Sequence, residues 1–315
     1  MHCCNRRRFL ARAAAGAGTL AVGTDALVSR AAEPSPSAAG GAMTIARWTG
    51  DQPDPRDFKT IAEKLTERAI AELGGMGKFV RRGDVVWIKP NIAWDRTPEQ
   101  AANTNPDVVA TLVRLCLAAG AKVVKVGDNP CNAAQKTYET SGIAAAAKAA
   151  GAEIVFLDPS RFKEADIGGR RVKSLPMYPE ILETDLVINV PVAKHHVLAQ
   201  ATLAMKNYMG VMENRRTFHQ ALPECITDLT LFMKPRLCVL DAMRVLLAHG
   251  PTGGKLEDVA TKLTIAAGTD IVALDAFGAE LLGRKPSDIS TIPAGQQAGL
   301  GTMDYRKIAR EIAVS

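Results

Sequence analysis

The sequence predicts an α/β protein with a mostly parallel sheet and helices on both faces. Helix-forming and strand-forming segments alternate between about residues 54 and 283, which is the pattern of repeated βαβ units. The predicted strands are apolar nearly throughout, as is typical of strands that are covered on both faces. Hydrophobic residues make up 47% of the chain and charged residues 23%, so the composition is that of a folded globular protein.

The first half of the chain gives three predicted helices and three predicted strands. A helix is expected where Asp54 or Asn105 precedes a proline, because the polar side chain caps the first turn and the proline ring fixes φ. Glycine is expected after the last turn of each helix, where a positive φ is needed. In order, the elements are a helix over 54–73, a strand over 85–88, a helix over 105–119, a strand over 123–126, a helix ending at 150 and a strand over 154–157.

The second half continues the pattern with one interruption. A polar hairpin turning at Gly168-Gly169 comes first, and a Met-rich segment follows the next strand. The remaining elements are a strand over 186–190 with an extended loop to 196, a helix over 223–233, a strand over 237–240 ending at Asp241, a turn at 250–254, a strand over 264–267 and a helix over 271–282.

Residues 1–32 have the three parts of a signal peptide. The arginines at 6, 7 and 8 precede Phe9-Leu10, an Ala- and Gly-rich apolar stretch follows, and small residues end it. The paired arginines resemble the twin-arginine type, so we expect export through the twin-arginine translocase to the periplasm or the extracellular space. Residues 33–42 predict a linker, and residues 43–315 predict one α/β domain. The apolar stretch is too short to predict a stable membrane span.

Charge and cysteine content argue against several classes of function. Five arginines and one aspartate lie in residues 1–32, so only +2 of the net charge of +6 remains after the leader. A nearly neutral chain without interleaved aromatic and basic residues does not predict nucleic-acid binding. The six cysteines include no C-x-x-C pair, which argues against an iron–sulfur cluster. The G-x-G-x-x-G pattern is absent, which argues against NAD.

Polar side chains follow four of the predicted strands. Ligands of open parallel sheets bind at the carboxyl ends of the strands, so these side chains are expected to meet at one edge, although each alone could be a solvated loop residue. We expect this edge to bind a small-molecule substrate. The residues are Lys89, Asn91, Asp128, Asn129, His195, His196 and Asp241.

The segment after the histidines supplies the most reactive candidate. Lys206 lies among apolar neighbours and next to Asn207, and an ammonium that loses hydration becomes a better base or nucleophile because its pKa falls. The alternative is a lysine that extends to water. We expect Lys206, His195 and His196 to be catalytic, with one histidine facing the site, and Asn207 to join the substrate-binding residues. The sequence leaves open whether a metal or cofactor takes part.

Several of these segments resemble the prokaryotic family called domain of unknown function 362. Many members carry a ferredoxin-like cysteine run that this chain lacks. A fainter similarity to the nickel-pincer lactate racemase implies that Lys206 would hold a cofactor and that His195 or His196 would be the proton-transfer base. The segments that carry the family resemblance are 89–91, 127–130, 189–195, 203–211, 268–270 and 272–276.

Two functions remain open from the sequence. The first is an exported enzyme, an isomerase or an oxidoreductase, that carries out cofactor-assisted or metal-assisted proton transfer or redox chemistry on a small polar or anionic substrate. The alternative is a non-catalytic periplasmic protein that binds a small anion. A deep cleft in one compact domain would favour the enzyme, and two lobes with a hinge would favour the binding protein.

Overall fold

The computed structural model describes residues 43–51 and 53–315. The predicted signal peptide and linker therefore lie outside the described residues. Within the described ranges the chain forms twelve strands, ten of which belong to one sheet. They are β1 (Met43–Trp48), β2 (Val85–Pro90), β3 (Val123–Val126), β4 (Glu153–Ile154), β5 (Lys163–Asp166), β6 (Ser174–Met177), β7 (Leu186–Val190), β8 (Val192–His196), β9 (Gln200–Thr202), β10 (Leu237–Leu246), β11 (Val259–Gly268) and β12 (Ala309–Val314).

The large sheet has the strand order β12-β1-β11-β10-β7-β2-β3-β4, with β8 and β9 attached beside β10. The neighbours β10, β7, β2, β3 and β4 are all parallel. Along the main path only β11 runs against the others, since it pairs antiparallel with both β1 and β10. The mostly parallel sheet predicted from the sequence is confirmed. Its strands β2, β3 and β7 point their carboxyl ends toward one edge.

Helices cover both faces of this sheet, as predicted. In the described residues they are α1 (Phe58–Glu72), α2 (Pro106–Ala118), α3 (Ala134–Thr140), α4 (Ile143–Ala149), α5 (Pro179–Leu182), α6 (Ala204–Asn207), α7 (Leu222–Met233), α8 (Ile271–Leu281) and α9 (Thr291–Gln297). Asn105 caps α2 as expected, because its side chain accepts the N–H groups of Asp107 and Val108.

The central strands β2 and β7 are largely apolar because they contribute to two cores. Val86 and Ile88 of β2 pack with α1 and α2 on one face. Trp87, which lies between them, packs on the other face with α7 and α8. Neighbouring side chains of a strand point to opposite faces, so an alternating polar pattern would place polar groups in one of the cores.

Several predicted boundaries are wrong. The strand predicted over 154–157 comprises only Glu153–Ile154, and the strand predicted over 264–267 begins at Val259. The strand predicted to end at Asp241 continues to Leu246 because residues 242–246 pair with β11. The loop predicted after Val190 is the strand β8, which pairs with β9 and β10. The helix predicted to end at residue 150 is divided into α3 and α4 at Gly142, whose φ is 72°.

Candidate active site

A cleft of about 700 Å³ opens at the carboxyl ends of β2 and β3. Its floor is formed by the residues that follow these strands, and its walls by β8, β9, α6 and the segment after α6. The lining residues with polar or ionisable side chains are Lys89, Asn91, Trp94, Asp128, Asn129, Cys131, Lys194, His196, Thr202, Lys206, Asn207, Glu213, Asn214, Arg215, Arg216, His219 and Thr252.

Seven of the nine predicted site residues lie together in this cleft, as the residues at the strand ends were expected to do. They are Lys89, Asn91, Asp128, Asn129, His196, Lys206 and Asn207. His195 and Asp241 are not among its lining residues.

Lys89 and Asp128 form a buried ion pair at the base of the cleft. Lys89 Nζ lies 2.7 Å from Asp128 Oδ1 and also donates to the Pro90 carbonyl and to Asn207 Oδ1, at 2.8 and 3.2 Å. Burial lowers the pKa of Lys89, and the adjacent Asp128 carboxylate opposes this effect. Three acceptors use all three ammonium protons, so Lys89 is a structural cation with no donor left for a ligand.

Asn207 and Asn91 extend this network toward a second buried lysine. Asn91 Nδ2 donates to Asn207 Oδ1 at 2.9 Å, and Asn91 Oδ1 accepts from Lys194 Nζ at 2.9 Å. Lys194 makes one further hydrogen bond, to the Ala102 carbonyl at 2.6 Å. The remaining position on Lys194 Nζ holds a proton when the amine is charged and a lone pair when it is neutral. It makes no hydrogen bond to a described residue.

The strand geometry of β8 decides which side chains enter the cleft. Lys194 and His196 are two residues apart and share one face of the strand, whereas His195 points to the other face. Thr202 of β9 lies opposite Lys194 in the antiparallel pairing and also lines the cleft. Thr202 Oγ1 is buried and has no hydrogen-bond partner among the described residues.

His196 is held as a neutral hydrogen-bond donor. Its Nδ1 accepts the backbone N–H groups of Leu198 and Ala199, both at 3.2 Å, so the ring proton resides on Nε2. Burial, together with the positive charges of Lys206 and Lys194, lowers the pKa of His196 to about 3. A neutral imidazole of this kind donates to developing negative charge and is a poor proton acceptor at neutral pH.

Lys206 is carried by the single turn of α6, and Asp275 of α8 fixes that turn. The Asp275 carboxylate accepts the backbone N–H groups of Ala204 and Met205, which are unsatisfied donors at the start of a helix. Burial raises the pKa of Asp275 to about 7. The Lys206 ammonium itself makes no hydrogen bond or ion pair to any residue in the described ranges.

The two lysines without saturating partners have lowered pKa values. Burial, and next the charge of Lys206, lowers the pKa of Lys194 to about 7. Burial lowers the pKa of Lys206 to about 8; Cys131 opposes this effect, and the positive charges of Arg215 and Lys89 add to it. At neutral pH both amines therefore exchange between charged and neutral forms, which is the condition for acid–base chemistry.

His195 and Asp241 have structural partners outside the cleft. His195 Nδ1 accepts the Gly250 N–H at 3.1 Å, which joins β8 to the turn after β10. Asp241 accepts the N–H groups of Asn105 and Met243, at 2.7 and 2.9 Å. Asp241 lies in the middle of β10 rather than at a strand end, which is why it does not reach the edge of the sheet where the cleft opens.

The sequence prediction missed two residues of the candidate site, Thr202 and Lys194, and of these Lys194 has a signal in the sequence. Its signal is the two-residue spacing from His196, which places both on one face only if residues 192–196 form a strand. Arg215 has a structural role in the cleft wall, because its guanidinium donates to the carbonyls of Met209 and Asn129 and to Cys131 Sγ. Arg216 is exposed at the cleft mouth and forms no ion pair with another described residue.

A second, smaller cleft of about 260 Å³ lies at the amino-terminal ends of β2 and β3. Three of its charged groups pair with each other, since Lys125 contacts both Glu180 and Glu153. The larger cleft, with two unpaired lysines, is the better candidate.

The protein side chains of the cleft do not by themselves make a metal centre. In residues 43–51 and 53–315, no three or more His, Cys, Asp or Glu side chains are grouped so as to hold a metal ion. The excess of lysine and arginine is also unfavourable for a bare metal cation. None of the helices in the described residues is long and apolar enough to cross a membrane.

The fold is that of the open α/β proteins, a class in which ligands bind at the carboxyl ends of parallel strands. A family model described as "Domain of unknown function (DUF362)" matches residues 86–280. This range contains nearly all of β2, all of β8 and α6, and the lysines and arginines that line the cleft. The chain belongs to this family. It is also similar to a thylakoid-associated protein of Synechocystis sp., with 29% identity over 242 residues and coverage of 73% of each chain.

Proposed function

We propose that this protein is an enzyme that binds a small anionic molecule in the cleft and transfers a proton to or from it. The observation that carries this proposal is the pair formed by Lys194 and Lys206, two amines in one cleft whose charges are not neutralised by carboxylates. Within the described part of the chain, Lys206 makes no ion pair, and Lys194 donates to two neutral oxygens, of Asn91 and Ala102.

Charge complementarity supports an anionic ligand. Five lysine and arginine side chains line the cleft against the carboxylates of Asp128 and Glu213, and Asp128 is already paired with Lys89. A buried cation without a partner costs free energy, and a bound anion would remove that cost. Arg216 at the mouth adds attraction at longer range.

The two lysines also support proton transfer. A general base works best when its pKa is close to the working pH, and the pKa values of Lys194 and Lys206 are about 7 and about 8. In the proposed reaction Lys206 binds the substrate, and the lone pair of neutral Lys194 accepts the proton. His196 Nε2–H and the Thr202 hydroxyl stabilise the negative charge that develops on the substrate.

An anionic pyridinium cofactor, which the faint racemase similarity implies, would be held here by the lysines through its own anionic groups. It would supply an electron-accepting centre when bound. The roles of Lys194, Lys206, His196 and Thr202 are derived from their own contacts and do not depend on it.

We also propose that the enzyme acts outside the cytoplasm. The support is the twin-arginine pattern of residues 5–10 and the small residues at 29–32. The resemblance to a thylakoid-associated protein is compatible with action at or near a membrane system.

Solvent deuterium exchange tests the proposed reaction. Small carboxylates with an acidic C–H bond, including hydroxy and oxo acids, are incubated with the protein in D2O and followed by NMR. We expect protein-dependent loss of the C–H signal for at least one of these acids. Lys194→Met and Lys206→Met should each abolish the exchange, because each removes an amine that the reaction needs.

Lys255→Met is the matched control, since Lys255 is exposed, lies outside the cleft and pairs only with Glu257. Its exchange rate should equal that of the wild type. Saturable binding of these acids without any exchange would contradict the catalytic proposal and would identify a non-catalytic anion-binding protein.

A further inference from the structure

The substrate class can be narrowed from the different surroundings of the three lysines in the cleft; this step rests on the proposed function. Lys89 donates three hydrogen bonds, Lys194 donates two, and Lys206 makes none within the described ranges. Only Lys206 is therefore free to approach a bound molecule with its nitrogen as a nucleophile.

We propose that Lys206 forms an imine with an anionic carbonyl compound, such as a 2-oxo acid. An amine attacks a carbonyl only in its neutral form. Lys206 lines the cleft with Met209, and burial and the nearby cations of Arg215 and Lys89 lower its pKa, against the opposing effect of Cys131. Burial and these cations favour the neutral amine. A solvated lysine on the surface lacks both influences.

The groups around Lys206 match the needs of the carbonyl oxygen. The buried Thr202 hydroxyl has no hydrogen-bond partner among the described residues. His196 Nδ1 accepts two backbone N–H groups, so the ring proton is on Nε2 and can be donated to a ligand. Both can donate to an oxygen that becomes negative during attack. An unsatisfied buried hydroxyl costs free energy, so a ligand oxygen at this position would also stabilise the protein.

The step balances without any further reactant. Lys194 takes one proton from the Lys206 ammonium, and the freed nitrogen lone pair forms the C–N bond while the C=O π pair moves to oxygen. Lys194 then gives the proton to that oxygen. The oxygen takes a second proton from the Lys206 nitrogen and leaves as water, and the lone pair of the Lys206 nitrogen forms the C=N bond. One ammonium and one carbonyl give one protonated imine and one water.

The imine explains why two amines would share the cleft. A protonated imine accepts electrons, so it lowers the pKa of the adjacent C–H bond, and Lys194 as a neutral amine can then remove that proton. Lys206 would thus activate the substrate, and Lys194 would serve as the base of the proposed proton transfer.

Reductive trapping tests this inference. The wild-type protein is incubated with pyruvate or glyoxylate and then with sodium borohydride, which reduces C=N to a stable secondary amine, and the adduct is located by peptide mass mapping. We expect one dominant adduct on Lys206. Lys206→Arg keeps the positive charge but forms no imine, so this adduct should be lost completely, while Lys255→Arg should leave it unchanged.

The outcomes separate this inference from the proposed function. If Lys206→Arg fails to fold, as judged by circular dichroism, the position of the adduct in the wild type shows whether the imine forms on Lys206. Binding of oxalate, an anion without an aldehyde or ketone, together with no adduct on Lys206 would overturn the imine and leave the anion site intact. If oxalate also fails to bind at the cleft, both proposals are overturned. Lys194→Met should slow adduct formation without moving the adduct.

Discussion

Lys194 shows how a single buried residue can link stability to chemistry. Its ammonium is buried against neutral oxygens, and burial lowers its pKa to about 7. Each unit of lowered pKa corresponds to about 1.4 kcal/mol, so keeping Lys194 charged in the folded protein costs a few kcal/mol. A purely structural position would be filled more favourably by methionine.

The pH dependence of unfolding should reveal this cost. Between about pH 7 and the ordinary lysine pKa of 10.5, the unfolded chain holds a proton that folded Lys194 has released. The free energy of unfolding of the wild type should therefore rise with pH relative to that of Lys194→Met, by up to about 1.4 kcal/mol per pH unit. Urea unfolding between about pH 7 and about pH 9 measures this difference.

Lys255→Met again serves as the control, and its stability should follow the wild-type pH profile. Parallel profiles for the wild type and Lys194→Met would show that Lys194 keeps its proton across this range, and the role of Lys194 as a base would then be untenable.

At the scale of elements, two backbone segments hold the cleft together. The strand β8 presents Lys194 and His196 on one face, and α6 presents Lys206 after a turn that Asp275 caps. The segment after α6 then passes so close to β3 that Gly210 accepts the Asn129 N–H at 3.0 Å. This close approach brings the strand ends and the α6 region into a single site.

Gly210→Ala should disrupt this contact. A Cβ atom at position 210 would overlap Asp128 Oδ1 and lie 2.6 Å from Lys89 Nζ, so the buried ion pair would have to separate. Breaking such a pair costs about 3–5 kcal/mol. We expect a loss of stability of this size in urea unfolding, and weaker binding of oxalate by calorimetry.

Gly77→Ala is the matched control because a Cβ atom there meets no atom within 4 Å. Its stability and oxalate affinity should stay close to those of the wild type. Equal effects of the two substitutions, or an unchanged stability in Gly210→Ala, would mean that the Lys89–Asp128 pair does not hold the cleft.

At the scale of the whole molecule, the sequence predicted the fold better than it predicted the site. The parallel strands and the helices on both faces follow from local signals such as Asn105-Pro106 and the apolar strands. The convergence of Lys89, Asn91 and Asp128 follows from the parallel direction of β2 and β3, because parallel strands end at the same edge.

The parts that could not be predicted depend on pairing between distant segments. Asp241 resembles a strand-end residue until β10 is seen to continue along β11. Residues 192–196 resemble a loop until they pair with β9 and β10, and only this pairing separates His196 from His195 and brings Lys194 into the cleft. Nothing in the local sequence specifies these partners.

The central claim is that the cleft binds an anion through lysines that are partly neutral when it is empty. Calorimetry of oxalate binding tests this most directly, at a pH between the Lys194 and Lys206 pKa values of about 7 and about 8, in buffers with different ionisation enthalpies. A bound anion raises both pKa values, so we expect proton uptake on binding, which the Lys194→Met, Lys206→Met double variant should lack. Binding with no dependence on the buffer, or uptake that persists in the double variant, would contradict the account.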